Sequence, residues 1–351
     1  EGANAFYRGD LTREIVKGIK AEGGILTEKD FANYEVQIAK GGLEFRYRGN
    51  TIRVPPGANA GTTTAMTLRL LDGYNIASLG HNSEEMLHLY ISCAQLAYAD
   101  RFAYLADPTF VPSPYKGLLN HEYINGRREL IRENSQQFEQ GDPWAYEASR
   151  PDHVLPSSRP AWDTGTTHLC VIDGNGNAVS LTNTLMSGFG SGVIPKGTGI
   201  VMNNGMMWFD PVPGRVNSIA PGKYPLNNMT PALVLGEQGV KVAVGASGGR
   251  MITNCVTQLV SKIIDFGMDP QEAIDSPRVD CSKPEVGIDP RIHESIQSAL
   301  AAKGHVLKPI NKSLLEEGFS SFASPLAIVR SPEGTLKAGV DTFKLAHAEG
   351  M

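Results

Sequence analysis

The spacing of apolar residues changes several times along the chain, and each change marks an element. Between Leu11 and Gly23, Ile15, Ile19 and Ala21 recur at helical intervals and Gly23-Gly24 follows, which predicts a helix that stops there. Thr27-Glu28-Lys29-Asp30 offers a capping signal for a short second helix. Leu43–Val54 alternates as a strand does and ends at Pro55-Pro56-Gly57. The clearest helical pattern runs from Ser83 to Ala106. Ser83 can cap it, Glu84 and Glu85 suit its positive end, and Asp107-Pro108 terminates it. Leu87, Tyr90, Ile91, Ala94, Ala97 and Tyr98 fall at helical spacing within it. A further helix is expected over Glu122–Arg132.

From about Gln136 to Asp163 the periodicity dissolves into polar, proline-rich sequence, as in an exposed, mobile connector. Directly after it, Thr167–Ile172 and Ala178–Thr184 read as strands on either side of Asp173-Gly174-Asn175-Gly176-Asn177, and so as a hairpin. More strands are expected at Gly199–Met202, Ala232–Leu235 and Val240–Val244, and helices at Met251–Phe266 and His293–Lys303. A last hairpin spans Leu326–Val340. Strand-rich sequence flanked by helices suits a layered α+β domain.

Composition removes whole classes of function. The chain has 351 residues, 41% hydrophobic and 20% charged, with a formal net charge of -5. Its Lys and Arg are scattered, so no footprint for nucleic acid is present. No stretch reaches the roughly 18–20 apolar residues of a membrane span. Cys93, Cys170, Cys255 and Cys281 lie far apart, which favours free buried thiols over a disulfide framework. The histidines are dispersed without metal-ligand spacing, so no metal is expected. Gly188–Gly192 lacks the helix and acid that a dinucleotide loop needs, and no cofactor is expected either. The opening residues show neither an initiator Met nor a signal-peptide pattern, so the compartment is not legible and a longer protein is expected upstream.

Two motifs carry chemistry. Gly245-Ala246-Ser247-Gly248-Gly249 satisfies G-x-S-x-G between a strand and a helix, with His293, His305 and His347 downstream. That is a serine-hydrolase reading with Ser247 as nucleophile, although no clear acid partner accompanies it. The second is Gly165-Thr166-Thr167-His168, followed by an apolar strand, the D-x-x-G-N-A-V turn over Asp173–Val179, and a strand ending in Thr182-Asn183-Thr184. This phrase resembles the start of the small subunit of the gamma-glutamyltransferase family of N-terminal-nucleophile hydrolases. The resemblance continues in order through Phe189-Gly190-Ser191-Gly192, Gly197-Thr198-Gly199-Ile200, Asn203-Asn204, Pro225-Leu226, Met229-Thr230-Pro231 and Gly245–Gly249. Upstream it takes in Phe6-Tyr7-Arg8-Gly9, Leu26–Asp30, Ala97–Arg101 and Tyr104–Pro108, and so covers nearly the whole chain.

The resemblance implies a four-layer αββα fold and a precursor that cuts itself between Gly165 and Thr166. Residues 1–165 would then be the C-terminal part of the large subunit, ending in the connector, and 166–351 the small subunit. Further large-subunit chain, supplying strands, is expected upstream of Phe6. A threonine hydroxyl needs a base, and the freed α-amino group of Thr166 would provide one, with an ordinary pKa of about 7.7–8.0. Thr184 matches the threonine that supports the nucleophile, and Gly248 and Gly249 match the glycine pair that forms the oxyanion hole.

The positions matching the family's donor-binding set are Met186, Asn204, Gly205, Trp208, Asn227 and Asn228. Several depart from the glutathione-cleaving pattern. Met186 replaces an asparagine, Gly205-Met206-Met207-Trp208 replaces Q-x-x-D, and Asn227-Asn228 replaces two serines. The expected partner is therefore a small amide, gamma-glutamyl or another acyl amide, with water or an amine as acceptor. A non-catalytic member that keeps the fold for binding is the third reading.

Overall fold

The segment that alternates as one strand folds back on itself. It forms β1 (Leu43–Tyr47) and β2 (Asn50–Val54), joined at Arg48-Gly49. Both turn residues take positive φ, 47° and 77°, in a two-residue turn whose twist matches that of the strands it joins. The buried positions are Phe45 and Tyr47 before the turn and Ile52 and Val54 after it, so the alternation changes phase by one residue at Arg48-Gly49.

The computed structural model describes residues 2–151, 155–157, 165–310, 322–343 and 346–350. Downstream of the first hairpin come β3 (Thr166–Ile172), β4 (Ala178–Thr184), β5 (Ala232–Gly236) and β6 (Gly239–Ser247). They are followed by β7 (Val279–Asp280), β8 (Val286–Ile288), β9 (Leu307–Pro309), β10 (Ser324–Arg330) and β11 (Leu336–Val340). Six strands make the main sheet in the order β1-β2-β5-β6-β10-β11, every pair antiparallel. Strands β3 and β4 form a separate two-stranded sheet, and β7-β8-β9 a small third one. The expected strand at Gly199–Met202 does not form. Ser191 N–H donates to Met202 O and Met202 N–H to Val193 O, so this apolar run is spent on a local loop.

One face of the main sheet carries helices. Helix Met251–Asp265 packs on β6 and on helix Gly61–Leu71, which in turn packs on helix Glu84–Tyr104. The last is capped as expected, with Met86 N–H donating to the Ser83 hydroxyl at 3.2 Å. Gly61–Leu71 escapes sequence reading for a physical reason. All its residues but Arg69 are buried, so it has no polar face to generate a period. The helix expected over Glu122–Arg132 spans His121–Arg128, with Asn120 as its cap.

The other face of the main sheet holds the β3–β4 hairpin, packed across β6 and β10. Helical layer, large sheet and the beginning of a second sheet together give the α+β layering expected.

The connector is exposed along most of its described length, as expected. Residues 152–154 and 158–163 of it lie outside the described residues, and its first part is hydrogen-bonded to the neighbouring helices. Gly141 N–H donates to the buried Asp100 carboxylate at 2.8 Å, Arg127 donates to Glu139 O at 2.7 Å, and Gly117 N–H donates to Glu147 Oε1 at 2.8 Å. Asp100 is itself paired with Arg127 at 3.2 Å and accepts from the Tyr123 hydroxyl at 2.8 Å. Polar sequence here marks an exposed segment whose backbone is bonded at a few points.

Because Leu68 is wholly buried in the helix that joins the other two, Leu68→Ala is expected to cost about 2–5 kcal/mol. Denaturant unfolding checks this; a loss well below that range would mean the helical layer is loosely packed.

Candidate active site

Strands β3 and β4 are each seven residues long and pair in full register, Thr166 opposite Thr184, His168 opposite Thr182 and Cys170 opposite Ser180. Side chains alternate faces along a strand, so these six share the side turned toward the main sheet. The opposite side carries Leu169, Val171, Val179 and Leu181, between 44% and 51% exposed. The hairpin is polar inward and apolar outward, the reverse of an ordinary surface hairpin.

At its open end the Thr166 and Thr184 hydroxyl oxygens are 3.0 Å apart. Thr184 Oγ1 also lies 3.2 Å from the Gly165 carbonyl oxygen, to which it can donate, and accepts from Met186 N–H at 2.9 Å. One hydroxyl therefore touches the nucleophile candidate and the peptide bond before it. Gly165 has φ 131°, and a Cβ there would lie 2.3 Å from the Ser187 carbonyl carbon, so the position admits only glycine.

Thr166, His168 and Cys170 line a cavity of about 600 Å³ between the hairpin and β10–β11. Ser247 and Ser324 share that wall. Ser247 is the last residue of β6, paired with Ser324, and Gly248-Gly249 follow it with φ 131° and 64° before the Met251–Asp265 helix. Ser247 thus belongs to the ladder rather than to a sharp elbow. No histidine nitrogen among the described residues is within hydrogen-bond distance of it.

The six expected substrate contacts are not in that cavity wall. Four gather beside Thr184. Asn204 bridges to the segment after β4, its Oδ1 accepting from Ser187 N–H at 3.0 Å and its Nδ2 donating to Ser187 Oγ at 2.8 Å. Met186 is wholly buried at φ 78°, Gly205 lies against the Trp208 ring, and Met206 and Met207 are exposed. Asn227 and Asn228 are bonded to other segments. The Asn227 amide spans Ala58 O and Met229 N–H, and Asn228 Oδ1 accepts from Arg101 at 3.1 Å.

Sequence reasoning gave Arg101 no such part. Its guanidinium is fully buried and donates to Asn59 O, Asn227 O, Asn228 Oδ1 and Thr63 Oγ1, and burial pushes its pKa down to about 10. The available signal was an arginine inside the long apolar helix, where a charge persists only when bonded. Among the described residues no set of three or more His, Cys, Asp or Glu could hold a metal, and all four cysteines are free. No helix among them is long and apolar enough to cross a membrane.

This architecture is that of the N-terminal-nucleophile hydrolases. Residues 1–351 match the family model described as gamma-glutamyltranspeptidase, and the chain belongs to that family. It is 35% identical over 337 residues to the acylase ACY 1 proenzyme of Pseudomonas sp. (strain SE83), covering 96% of this chain and 56% of that one. It is 32% identical over 362 residues to the glutathione hydrolase proenzyme of Bacillus subtilis (strain 168), covering 100% of this chain and 59% of the relative. The crystal structure of cephalosporin acylase from Bacillus halodurans superposes with a TM-score of 0.85 at 27% identity, over 99% of this chain and 60% of that one. The chain thus spans a little over half the length of these relatives.

Burial drives the His168 pKa from 6.5 down to about 4. Below 6.5 the unfolded chain takes up a proton that the folded chain refuses. The stability this site contributes is therefore complete above that pH and falls toward pH 4, by about 1.4 kcal/mol per pH unit. The difference in unfolding free energy between the protein and His168→Gln should shrink accordingly between pH 7 and 5; a constant difference would contradict a buried neutral imidazole.

Proposed function

We propose that this chain carries the reacting centre of a gamma-glutamyltransferase-like amidohydrolase or acyltransferase, with Thr166 as nucleophile once the Gly165–Thr166 bond is cut. The observation that supports it most is the Thr184 hydroxyl, within hydrogen-bond distance of both Thr166 Oγ1 and the Gly165 carbonyl oxygen. In the uncut chain Thr166 Oγ1 attacks the Gly165 carbonyl carbon, and the peptide nitrogen leaves with a proton, giving an ester. Water hydrolyses the ester, leaving a Gly165 carboxylate and a Thr166 α-amine. Residues 1–165 then belong to the large subunit, as its C-terminal part, and 166–351 to the small subunit of one precursor.

That amine next serves as base. It takes the Thr166 hydroxyl proton as the oxygen attacks a substrate amide, then passes it to the leaving amine. The N–H groups of Gly248 and Gly249 are the proposed donors for the oxyanion, where losing one donor costs about 10²–10³ in rate. Water or an amine releases the acyl group from Thr166. The substrate class is a gamma-glutamyl or other acyl amide, read by Met186, Asn204, Gly205, Trp208, Asn227 and Asn228. Apolar Met186 and Trp208 favour an acyl group less polar than glutamate, since a carboxylate buried without partners is costly. The relatives named as acylase and as glutathione hydrolase bracket that choice.

The test is a denaturing gel of the full-length protein with N-terminal sequencing. Two bands are expected, the smaller beginning Thr-Thr-His, with Thr166→Ala giving one uncut chain and no turnover of an amide panel. A single stable wild-type chain would sink the reading. If Ser247→Ala abolishes hydrolysis while Thr166→Ala does not, the serine-hydrolase reading takes its place. Cleavage without turnover of any amide would favour a binding role.

A further inference from the structure

The histidine of Thr166-Thr167-His168 lies two residues along β3 from the proposed nucleophile, on the same face, and has no part in the chemistry above. Its imidazole is 7% exposed and lies on Gly245 of β6. A Cβ at Gly245 would sit 2.1 Å from the His168 Cε1 and 2.3 Å from Nε2, so the ring occupies the space a side chain would need. Glycine inside a central strand weakens it and often marks such a close approach.

Hydrogen bonds fix the ring's state. Ser180 Oγ donates its one proton to Val244 O at 2.9 Å, so toward His168 Nε2, at 3.4 Å, it can only accept. Nε2 therefore carries the hydrogen, with Cys170 Sγ as a second acceptor at 3.2 Å. Nδ1 accepts from the Thr182 hydroxyl at 2.9 Å. Both nitrogens are occupied within the hairpin and neither is bonded to Thr166. Burial keeps the imidazole neutral near pH 7, its pKa lowered to about 4.

We propose that His168 is a positioning residue whose imidazole, keyed into the bare face of Gly245, sets how far β3 lies along β6 and so where Thr166 stands relative to Gly248-Gly249. Gly245 lies on β6 three residues before Gly248, and His168 lies on β3 two residues after Thr166, so one contact registers both halves of the centre. The first glycine of G-x-S-x-G then has a use unrelated to a nucleophile elbow: it is the socket. This inference rests on the Thr166 reading for its effect on catalysis, but the contact itself can be measured without it.

The experiment is a double-mutant cycle in the full-length protein with His168→Ala and Gly245→Ala. Melting temperature, fraction self-cleaved, kcat and KM are read for all four proteins. Gly245→Ala alone should lower the melting temperature and reduce cleavage and kcat by about 10²-fold, the effect of displacing a reacting group by an ångström, with KM little changed. Added to His168→Ala, the same methyl enters vacated space and should change each readout by no more than about twofold. The limb of the kcat/KM pH profile should stay in place in His168→Ala, because the imidazole transfers no proton.

If Gly245→Ala has the same effect in both backgrounds, insolubility included, the socket is refuted. If His168→Ala moves the pH limb, the ring is an acid–base group and positioning is refuted. Should the wild-type protein neither cleave nor turn over an amide, the Thr166 reading falls, while melting temperatures alone still decide whether His168 and Gly245 are coupled.

Discussion

Strand β6 must serve two faces that need opposite things, and most of the structure follows from how it does so. Val242, Val244 and Ala246 turn toward the helices and join the main core, as a half-buried strand should. Ala243, Gly245 and Ser247 turn the other way, and none has a large side chain. That bare stripe lets the hairpin come close enough for Ser180 to reach the Val244 carbonyl and for His168 to lie on Gly245. A leucine or valine anywhere along it would push β3 outward and take Thr166 with it. Tight packing on one side and close approach on the other are both met by alternation along nine residues.

The hairpin's inverted polarity is the second half of the same arrangement. Thr166, His168, Cys170, Ser180, Thr182 and Thr184 would be costly to bury singly. They bond one another and the β6 and β10 carbonyls across the pairs set by the register. A buried polar network is tolerable only when its members are satisfied, and here that satisfaction places two threonine hydroxyls at one end. The Gly165 peptide and Met186 N–H complete the bonds of Thr184, so the strained segment on each side of the threonine pair is anchored to the same oxygen.

How much of this was legible from sequence depends on the kind of signal each part leaves. The β3–β4 hairpin was readable because a turn rich in Gly, Asn and Asp separates two alternating runs of equal length, which already places Thr184 opposite Thr166. Helix Glu84–Tyr104 was readable through its cap and terminator. Helix Gly61–Leu71 was not, since burial on all sides erases the period that reveals a helix, and β1–β2 were read as one strand because the one-residue change of phase at Arg48-Gly49 is a weak break between two short alternating runs. Loops were the weakest ground. Met186, Asn204 and Asn227 could be matched to a family pattern by order, yet their bonding to Ser187, Ala58 and Met229 follows from tertiary approach that no local pattern encodes. Arg101 fell between these cases, visible as an anomaly in an apolar helix but without a hint of its four acceptors.

The outward face of the hairpin bears on how the Thr166 end is held. Leu169, Val171, Val179 and Leu181 stand about half exposed, and among the described residues neither β3 nor β4 has a second strand neighbour. Among the described residues, Thr166 is thus mounted on a two-stranded ladder braced from beneath by β6 and β10. Because Thr166 and Thr184 face each other across the hairpin, any displacement of it as a unit carries both threonines together and leaves their mutual spacing intact.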